Sequence, residues 1–299
     1  MFQPPRVSVS PDVAKELVAL SPELSLPGWD FESWPQSSGA DAIHSHIVQR
    51  CISEVAAELQ MHGFVVIGFS NILDSFSDGL AAGAITAFLA RIAPPIRVFI
   101  DSPTFWRKVD VDLTRPPNRS RGTGFLPLHM DFVNAENPPD YVCLLSMRPD
   151  PRGGGNTIVA SMDQIEKELP AHVCEVLRRS IFSDGAVVNL ANIGEDANPF
   201  SVLADRVWRY RFTDNLLRLD LPPEVIDALN MFASVIQTRA VTFGLPRGDC
   251  VVIDQHRTLH GRMPLGSDQA ALPPAERRLV LHAFLRERKL VRNEHVPIG

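Results

Sequence analysis

The sequence predicts a mainly β domain with flanking helices, in which short strands form a sandwich or barrel. Beyond residue 120, short runs with strand character are separated by Gly and Pro and outnumber the helical segments. The chain has 299 residues, of which 45% are hydrophobic and 21% charged, so it can bury one large core. Because no internal repeat, low-complexity tract or domain boundary is evident, we expect a single domain over residues 1–299.

Helix signals dominate the first third of the chain. An arm rich in Pro and Ser, residues 1–40, contains one short helix candidate that Ser10 and Pro11 would open. Recurring apolar residues then predict an amphipathic helix, followed by a buried strand (GFVVIGF) and a further helix. In chain order, these four elements are predicted at 10–20, 41–61, 63–69 and 79–92. The Pro-containing stretch up to residue 120 is expected to be an irregular loop.

Strand candidates dominate the rest of the chain, and each is short and bounded by Gly, Pro or polar residues. They lie around 141–147, 156–160, 185–190, 207–213, 239–243, 250–254 and 278–286. Two helices are predicted among them, near 162–178 and 222–237.

Composition favours a small-molecule partner over nucleic acid or membrane. The formal net charge is −6, and no block of Lys and Arg of the kind that follows a phosphate backbone is present. No basic start with an apolar segment and no apolar run of membrane-spanning length occurs. The four cysteines are far apart and form no CxxC pair, which indicates reduced thiols and a cytoplasmic protein. They are Cys51, Cys143, Cys174 and Cys250.

A polar pair interrupts one apolar run, LPLHMDF, at residues 126–132. Side chains alternate along a strand, so the Leu, Met and Phe residues, Phe132 included, would face the core while His129 and Asp131 share the other face. An imidazole beside a carboxylate suits Fe(II), Zn or Mn if a third ligand is supplied. Taken alone, the motif favours a hydrogen-bonded core histidine and an aspartate that caps a turn.

Two C-terminal motifs can complete such a site. GDCVVIDQHRTLHGR, at 248–262, is a strand followed by a polar segment, and spacing alone does not choose between His256 and His260 as the third ligand. In RRLVLHAFLRER, at 277–288, alternation places Arg278 and His282 on one face. A guanidinium there can bind a carboxylate through two parallel hydrogen bonds, or form a surface ion pair with a neighbouring glutamate.

Four blocks in order carry a family resemblance. They are HMD at 129–131, GGGNTIVAS at 153–161, IDQHRTLHGR at 253–262 and RRLVLHAFLR at 277–286. Together they resemble the Fe(II)/2-oxoglutarate-dependent oxygenases of the clavaminate synthase-like and taurine dioxygenase (TauD/TfdA) family, over roughly 63–288. The resemblance implies a double-stranded β-helix, or jelly-roll, core with helices outside it. It also implies one mononuclear Fe(II) site, with 2-oxoglutarate and O₂ as co-substrates.

The same resemblance implies individual roles. His129, Asp131 and His260 would be the catalytic iron ligands, and His256 would be a neighbour only. Arg278 would bind the distal carboxylate of 2-oxoglutarate, and Thr157 would support it. Arg277 is the alternative arginine, but strand alternation favours Arg278.

The implied function is a dioxygenase that hydroxylates an unactivated C–H bond of a small molecule, derived from an amino acid or belonging to specialised metabolism. Oxidative decarboxylation of 2-oxoglutarate to succinate and CO₂ would accompany it. Halogenating relatives lack the carboxylate found here as Asp131, which favours hydroxylation, with desaturation or ring closure as alternatives.

Two positions depart from relatives that act on free amino acids. Those relatives often have glutamate where Asp131 stands, and a second, substrate-binding arginine where His282 stands. His282 is therefore a candidate substrate contact or a packing residue. Further candidates are Asn134, after the HMD motif, and Arg209 and Arg211, which would share one strand face. The alternative interpretation of that face is a solvated arginine surface.

Two rival functions remain open from the sequence. A zinc-dependent hydrolase could use the same His, Asp and His ligands, with a zinc-bound water as nucleophile. It leaves Arg278 and Thr157 unexplained. A non-catalytic jelly-roll binding module could carry the same polar residues for structural reasons.

Overall fold

The structure is a computed structural model that describes most of the chain. The described residues are 2–19, 29, 45–98, 104–135, 137–184, 199–203 and 210–287. The strands are β1 (Arg6–Ser8), β2 (Phe64–Gly68), β3 (Pro95–Ile96), β4 (Arg107–Asp110), β5 (Leu126–His129), β6 (Tyr141–Arg148), β7 (Thr157–Ser161), β8 (Val241–Phe243), β9 (Asp249–Asp254), β10 (Thr258–Arg262) and β11 (Leu279–Leu285). The α-helices are α1 (Pro11–Ala19), α2 (His46–His62), α3 (Ser70–Ser75), α4 (Asp78–Leu89), α5 (Ala171–Leu177) and α6 (Pro223–Thr238).

These strands form two sheets. The larger has the order β1-β2-β9-β6-β11-β3, and β4 also pairs with β11; the smaller has the order β5-β10-β7-β8. All pairings are antiparallel except that of β1 with β2. The prediction of a mainly β fold with flanking helices is confirmed.

Strand alternation divides the apolar side chains among three cores. One core lies between the larger sheet and helices α1, α2 and α4, and includes Ile67 and Leu281. A second lies between the smaller sheet and helices α5 and α6, and includes Ile158. The third lies between the sheets, where Val251 and Phe284 of the larger sheet meet Val159 of the smaller. Polar side chains on the same faces as this third core therefore point into the interior.

Several predicted elements are observed with shifted ends. Others differ from the prediction in the type or number of elements. The stretch before residue 120 is not wholly irregular, because β3 and β4 both pair with β11. These strands are too short to show periodicity. The helix predicted near 162–178 is a 3₁₀ turn at Ile165–Lys167 followed by α5, which begins after Pro170. The candidate strand at 185–190 lies outside the described residues.

The motif at 126–132 is a strand only as far as His129. Phe132 adopts a left-handed backbone conformation with φ of 58°. Its ring lies 5.0 Å from that of Phe284, between the sheets. The prediction that Phe132 shares the face of Leu128 and Met130, which pack on the helix side, is therefore wrong.

Within the described part of the chain, no helix is both long enough and apolar enough to cross a lipid bilayer.

Replacing Ile67 with alanine is expected to destabilise the protein by about 2–5 kcal/mol, because the side chain is fully buried and the cavity would collapse only partly. Met61→Ala on α2 is the control, since Met61 is 70% exposed and its loss should cost about 0.5 kcal/mol or less. Urea unfolding followed by circular dichroism measures both. Equal losses of stability would contradict the assignment of the helix-facing core.

Candidate metal centre

The pairing of β5 with β10 brings the predicted ligands together. His129 lies opposite His260 in the register, and Asp131 lies two residues beyond the end of β5. Nε2 of His129 is 3.6 Å from Oδ1 of Asp131, and Nε2 of His260 is 3.4 Å from Oδ2. Potential ligand atoms of the three residues all lie within 4.8 Å of one another. This spacing allows one ion to contact all three.

Neighbouring groups orient these ligands. Nδ1 of His129 donates to the carbonyl of Pro127 at 2.8 Å, which leaves Nε2 facing the centre. The backbone N–H of Asp131 donates to Oε1 of Gln255 at 2.8 Å, and Nε2 of Gln255 donates to the carbonyl of Pro139. Such second contacts fix ligand geometry in metal sites. Gln255 was missed from the sequence because an amide beside two histidines carries no recognisable pattern.

The charges also fit a cation. Although burial would raise the pKa of Asp131, His260 and His129 hold it well below its usual value. Burial and the neighbouring His129 lower the pKa of His260, although Asp131 opposes this, and a lowered pKa favours the neutral imidazole that a metal ligand requires. Oδ2 of Asp131 is buried without a hydrogen-bond partner. Two imidazoles and one carboxylate form the donor set of non-haem Fe(II) oxygenases, so these residues fit iron.

The centre faces a cavity of about 340 Å³, here called the substrate cavity. His129 and Asp131 line it from one side, and His282 lines it from β11. Nε2 of His282 is 3.4 Å from Oδ2 of Asp131. The other charged or amide residues that line the substrate cavity are Arg107, Asn118, Arg119, Asn134, Asp184, Asp214, Asn215 and Arg218. The sequence did not single out Arg107, because β4 lies in a stretch that predicts a loop.

A second cavity, also of about 340 Å³, contains Arg278. Burial and the neighbouring Arg262 lower the pKa of Arg278 to about 10, although Asp150 opposes this. Among the described residues, no carboxylate or carbonyl pairs with its guanidinium. Thr157, 3% exposed, lies opposite Arg262 on the inward face of β7.

A glycine turn leaves space for the side chain of Arg278 beside this cavity. Gly155 has φ of 72°, and a Cβ there would lie 3.2 Å from Cδ of Arg278. Asp150 holds the turn, because its carboxylate accepts from the N–H groups of Arg152 and Gly154 at 3.0 and 3.2 Å. It also accepts from Gln269 at 2.9 Å. Neither Asp150 nor Gln269 was predicted, since both lie outside the GGGN motif that they support.

The remaining predicted residues are His256, Asn134, Arg211 and Arg209, and each has different surroundings or lies outside the described residues. Nε2 of His256 lies 2.9 Å from Oδ1 of Asp140, away from the centre. Asn134 lines the substrate cavity, and its Oδ1 accepts from the N–H of Asp184 at 3.0 Å. Arg211 is 7% exposed and donates to two carbonyls of the turn after Asp131, so a solvated arginine face is wrong here. Arg209 lies outside the described residues.

Removing any one of the three ligands is expected to abolish stoichiometric Fe(II) binding, because two donors cannot hold the ion against water. His129→Ala, Asp131→Ala and His260→Ala test this by anaerobic Fe(II) titration calorimetry and by metal content. The control is His172→Ala, on the exposed surface of α5. Full iron occupancy in His129→Ala, with an unchanged unfolding midpoint, would contradict the metal site and favour a structural role.

Comparisons with known proteins agree with this geometry. The model of the family described as "Taurine catabolism dioxygenase TauD, TfdA family" matches residues 48–182 and 200–283. Asparagine oxygenase in complex with Fe(II), 2S,3S-3-hydroxyasparagine and succinate has a similar structure, with a TM-score of 0.68 and 17% identity. That alignment covers 94% of this chain and 93% of the other.

The non-heme iron oxygenase OrfP, in complex with Fe and alpha-ketoglutaric acid, aligns with a TM-score of 0.69 and 17% identity over 94% of each chain. A search of curated protein sequences found no match. At these identities, the solved structures establish the shared fold alone. The family model, by contrast, spans most of the sequence and includes all three predicted ligands. The chain therefore belongs to the TauD/TfdA family of dioxygenases.

Proposed function

We propose that this dioxygenase hydroxylates an unactivated C–H bond of an amino-acid-derived small molecule. In this proposal, His129, Asp131 and His260 hold the iron, and Arg278 with Thr157 binds the distal carboxylate of 2-oxoglutarate. The observation that carries the proposal is the guanidinium of Arg278, which lines the second cavity near Arg262 and is paired with no carboxylate or carbonyl of the described residues. Partial burial of a cation without a directly paired acid is unfavourable, so an anionic ligand would stabilise it.

The position of Arg278 on its strand supports this role. Arg278 precedes β11 and His282 lies within it, four residues further along. The two residues share a face, and their Cα atoms are separated by roughly 13 Å at strand spacing. His282 touches Asp131, so the anion site and the metal centre lie along one inward face. A short dicarboxylate with one end on each would lie along this face.

The side chains around the candidate metal centre have distinct roles in this proposal. When bound, the iron would activate O₂, and 2-oxoglutarate would supply two of the electrons that reduce it. His129, Asp131 and His260 would hold the ion and leave coordination positions for the co-substrates. The rings of Phe132 and Phe284 line the substrate cavity beside Asp131 and exclude water from part of its wall. Retention of the Asp131 carboxylate supports hydroxylation over halogenation.

The lining of the substrate cavity supports a polar substrate. Cationic, acidic and amide side chains all face it, which suits a molecule that carries both charges and hydrogen-bonding groups. OrfP has been solved with succinate and (3S)-hydroxy-L-Arg, and asparagine oxygenase with a hydroxyasparagine. These complexes support an amino acid, or a molecule derived from one, as the substrate class.

We also propose a cytoplasmic location. All four cysteines are free and buried, as expected of a protein that folds in a reducing compartment.

Arg278→Gln is expected to raise the KM for 2-oxoglutarate at least tenfold, because one charge-assisted pair contributes about 1.5–3 kcal/mol. Iron content should stay at the wild-type level. Arg277→Gln is the matched control, since its guanidinium donates to the carbonyl of Leu272. Initial rates of succinate release give the KM for 2-oxoglutarate of both variants. A KM for Arg278→Gln no higher than that of the control would contradict this assignment.

Substrate class is tested by succinate release under O₂ with free amino acids, carrier-bound amino acids and N-acyl derivatives. At least one member is expected to raise turnover above the uncoupled rate and to gain one oxygen atom by mass spectrometry. If none does, the proposed substrate class is wrong. Absence of the weak visible charge-transfer band of Fe(II) with 2-oxoglutarate, under anaerobic conditions, would instead favour the zinc hydrolase.

A further inference from the structure

We propose that Arg107 binds a free carboxylate group of the substrate. The inference rests on the proposed function and narrows its substrate class to molecules with an unmodified carboxylate, as opposed to carrier-bound thioesters. It concerns an arginine that lines the substrate cavity together with His129, Asp131 and His282. The function of this cation could not be read from the sequence motifs.

Strand register places Arg107 next to His282. β4 pairs with β11 in antiparallel fashion, and Arg107 lies directly opposite His282. Directly opposed residues project to the same face, with Cβ atoms about 4.5–5.5 Å apart. Both side chains line the substrate cavity with His129 and Asp131. Arg107 is therefore one strand spacing from a residue that touches Asp131.

His282 itself is a poor choice for the carboxylate. Its Nε2 is directed at Oδ2 of Asp131, 3.4 Å away, so this nitrogen faces a carboxylate of the protein. A guanidinium is always charged and offers two parallel donors that match the two carboxylate oxygens. Arg107 supplies this group from the neighbouring strand.

The other cations of the cavity are placed less favourably. The side chain of Arg218 is 59% exposed, so it belongs to the rim of the cavity. Arg119 lies in the loop before β5 and not in a strand. Arg107 is the arginine of this cavity that a regular strand holds in fixed register with β11.

The test compares acids with their amides in the enzyme loaded with Fe(II) and 2-oxoglutarate. The twenty standard L-amino acids and their primary amides are assayed by succinate release. At least one free acid is expected to stimulate turnover, and its amide is expected to be at least tenfold less effective. Arg107→Gln should raise the KM of that acid at least tenfold, leaving iron content and the KM for 2-oxoglutarate within twofold of wild type.

Lys108→Gln is the matched control, because it removes the same charge from the adjacent, exposed position of β4. It should leave the KM of the acid unchanged. Arg107→Lys should recover part of the affinity, and it replaces Arg107→Gln if the latter does not fold.

Failure of this inference is distinguishable from failure of the proposed function. Three results would each overturn the role of Arg107. They are an amide as effective as its acid, a KM in Arg107→Gln equal to that in the Lys108→Gln control, and turnover with a carrier-bound amino acid only. In those cases amino-acid oxidation itself still stands. If neither acids, amides nor carrier-bound forms stimulate turnover, both proposals fail.

Discussion

The antiparallel pairing of β5 with β10 is the constraint on which the metal centre depends. It sets His129 opposite His260 and allows the turn after β5 to bring Asp131 within 3.4 Å of His260. Gly261 permits the close approach, because a Cβ there would lie 2.6 Å from the carbonyl oxygen of Leu126. A one-residue slip of β5 would turn His129 to the helix-facing side, so the register and the site are specified together.

Strand β11 links this centre to the rest of the interior. One of its faces packs on the helices through Leu281, Ala283 and Leu285, and the other faces the smaller sheet. A period of two therefore spaces Arg278 and His282 along one inward surface. Because β4 joins the same strand, a cation from a different part of the chain reaches the substrate side. The separation of the cavity lined by Arg278 from the substrate cavity thus follows from sheet order.

The parts of the site that the sequence predicts are those with a local pattern. His129 and Asp131 share one motif, and Arg278 and His282 one alternating strand, so their joint orientation follows from residue spacing. The choice of His260 over His256 depended on family resemblance, and its physical reason is tertiary: His256 pairs with Asp140. Arg107, Asp150 and Gln255 could not be predicted, because each acts through contacts with residues distant in sequence. Phe132 leaves the strand pattern because the turn after β5 is held by such a contact, from Asp131 to Gln255.

The two departures from relatives that act on free amino acids meet at a single contact. Asp131 and His282 lie 3.4 Å apart, so the identity of one side chain limits the space left for the other. We infer that the short carboxylate makes room for the imidazole beside the centre, whereas glutamate, one methylene longer, would extend into that space. With His282 at this position, β11 offers no arginine here as a partner for the carboxylate of a substrate. Arg107, opposite His282 on β4, provides that partner within the same cavity.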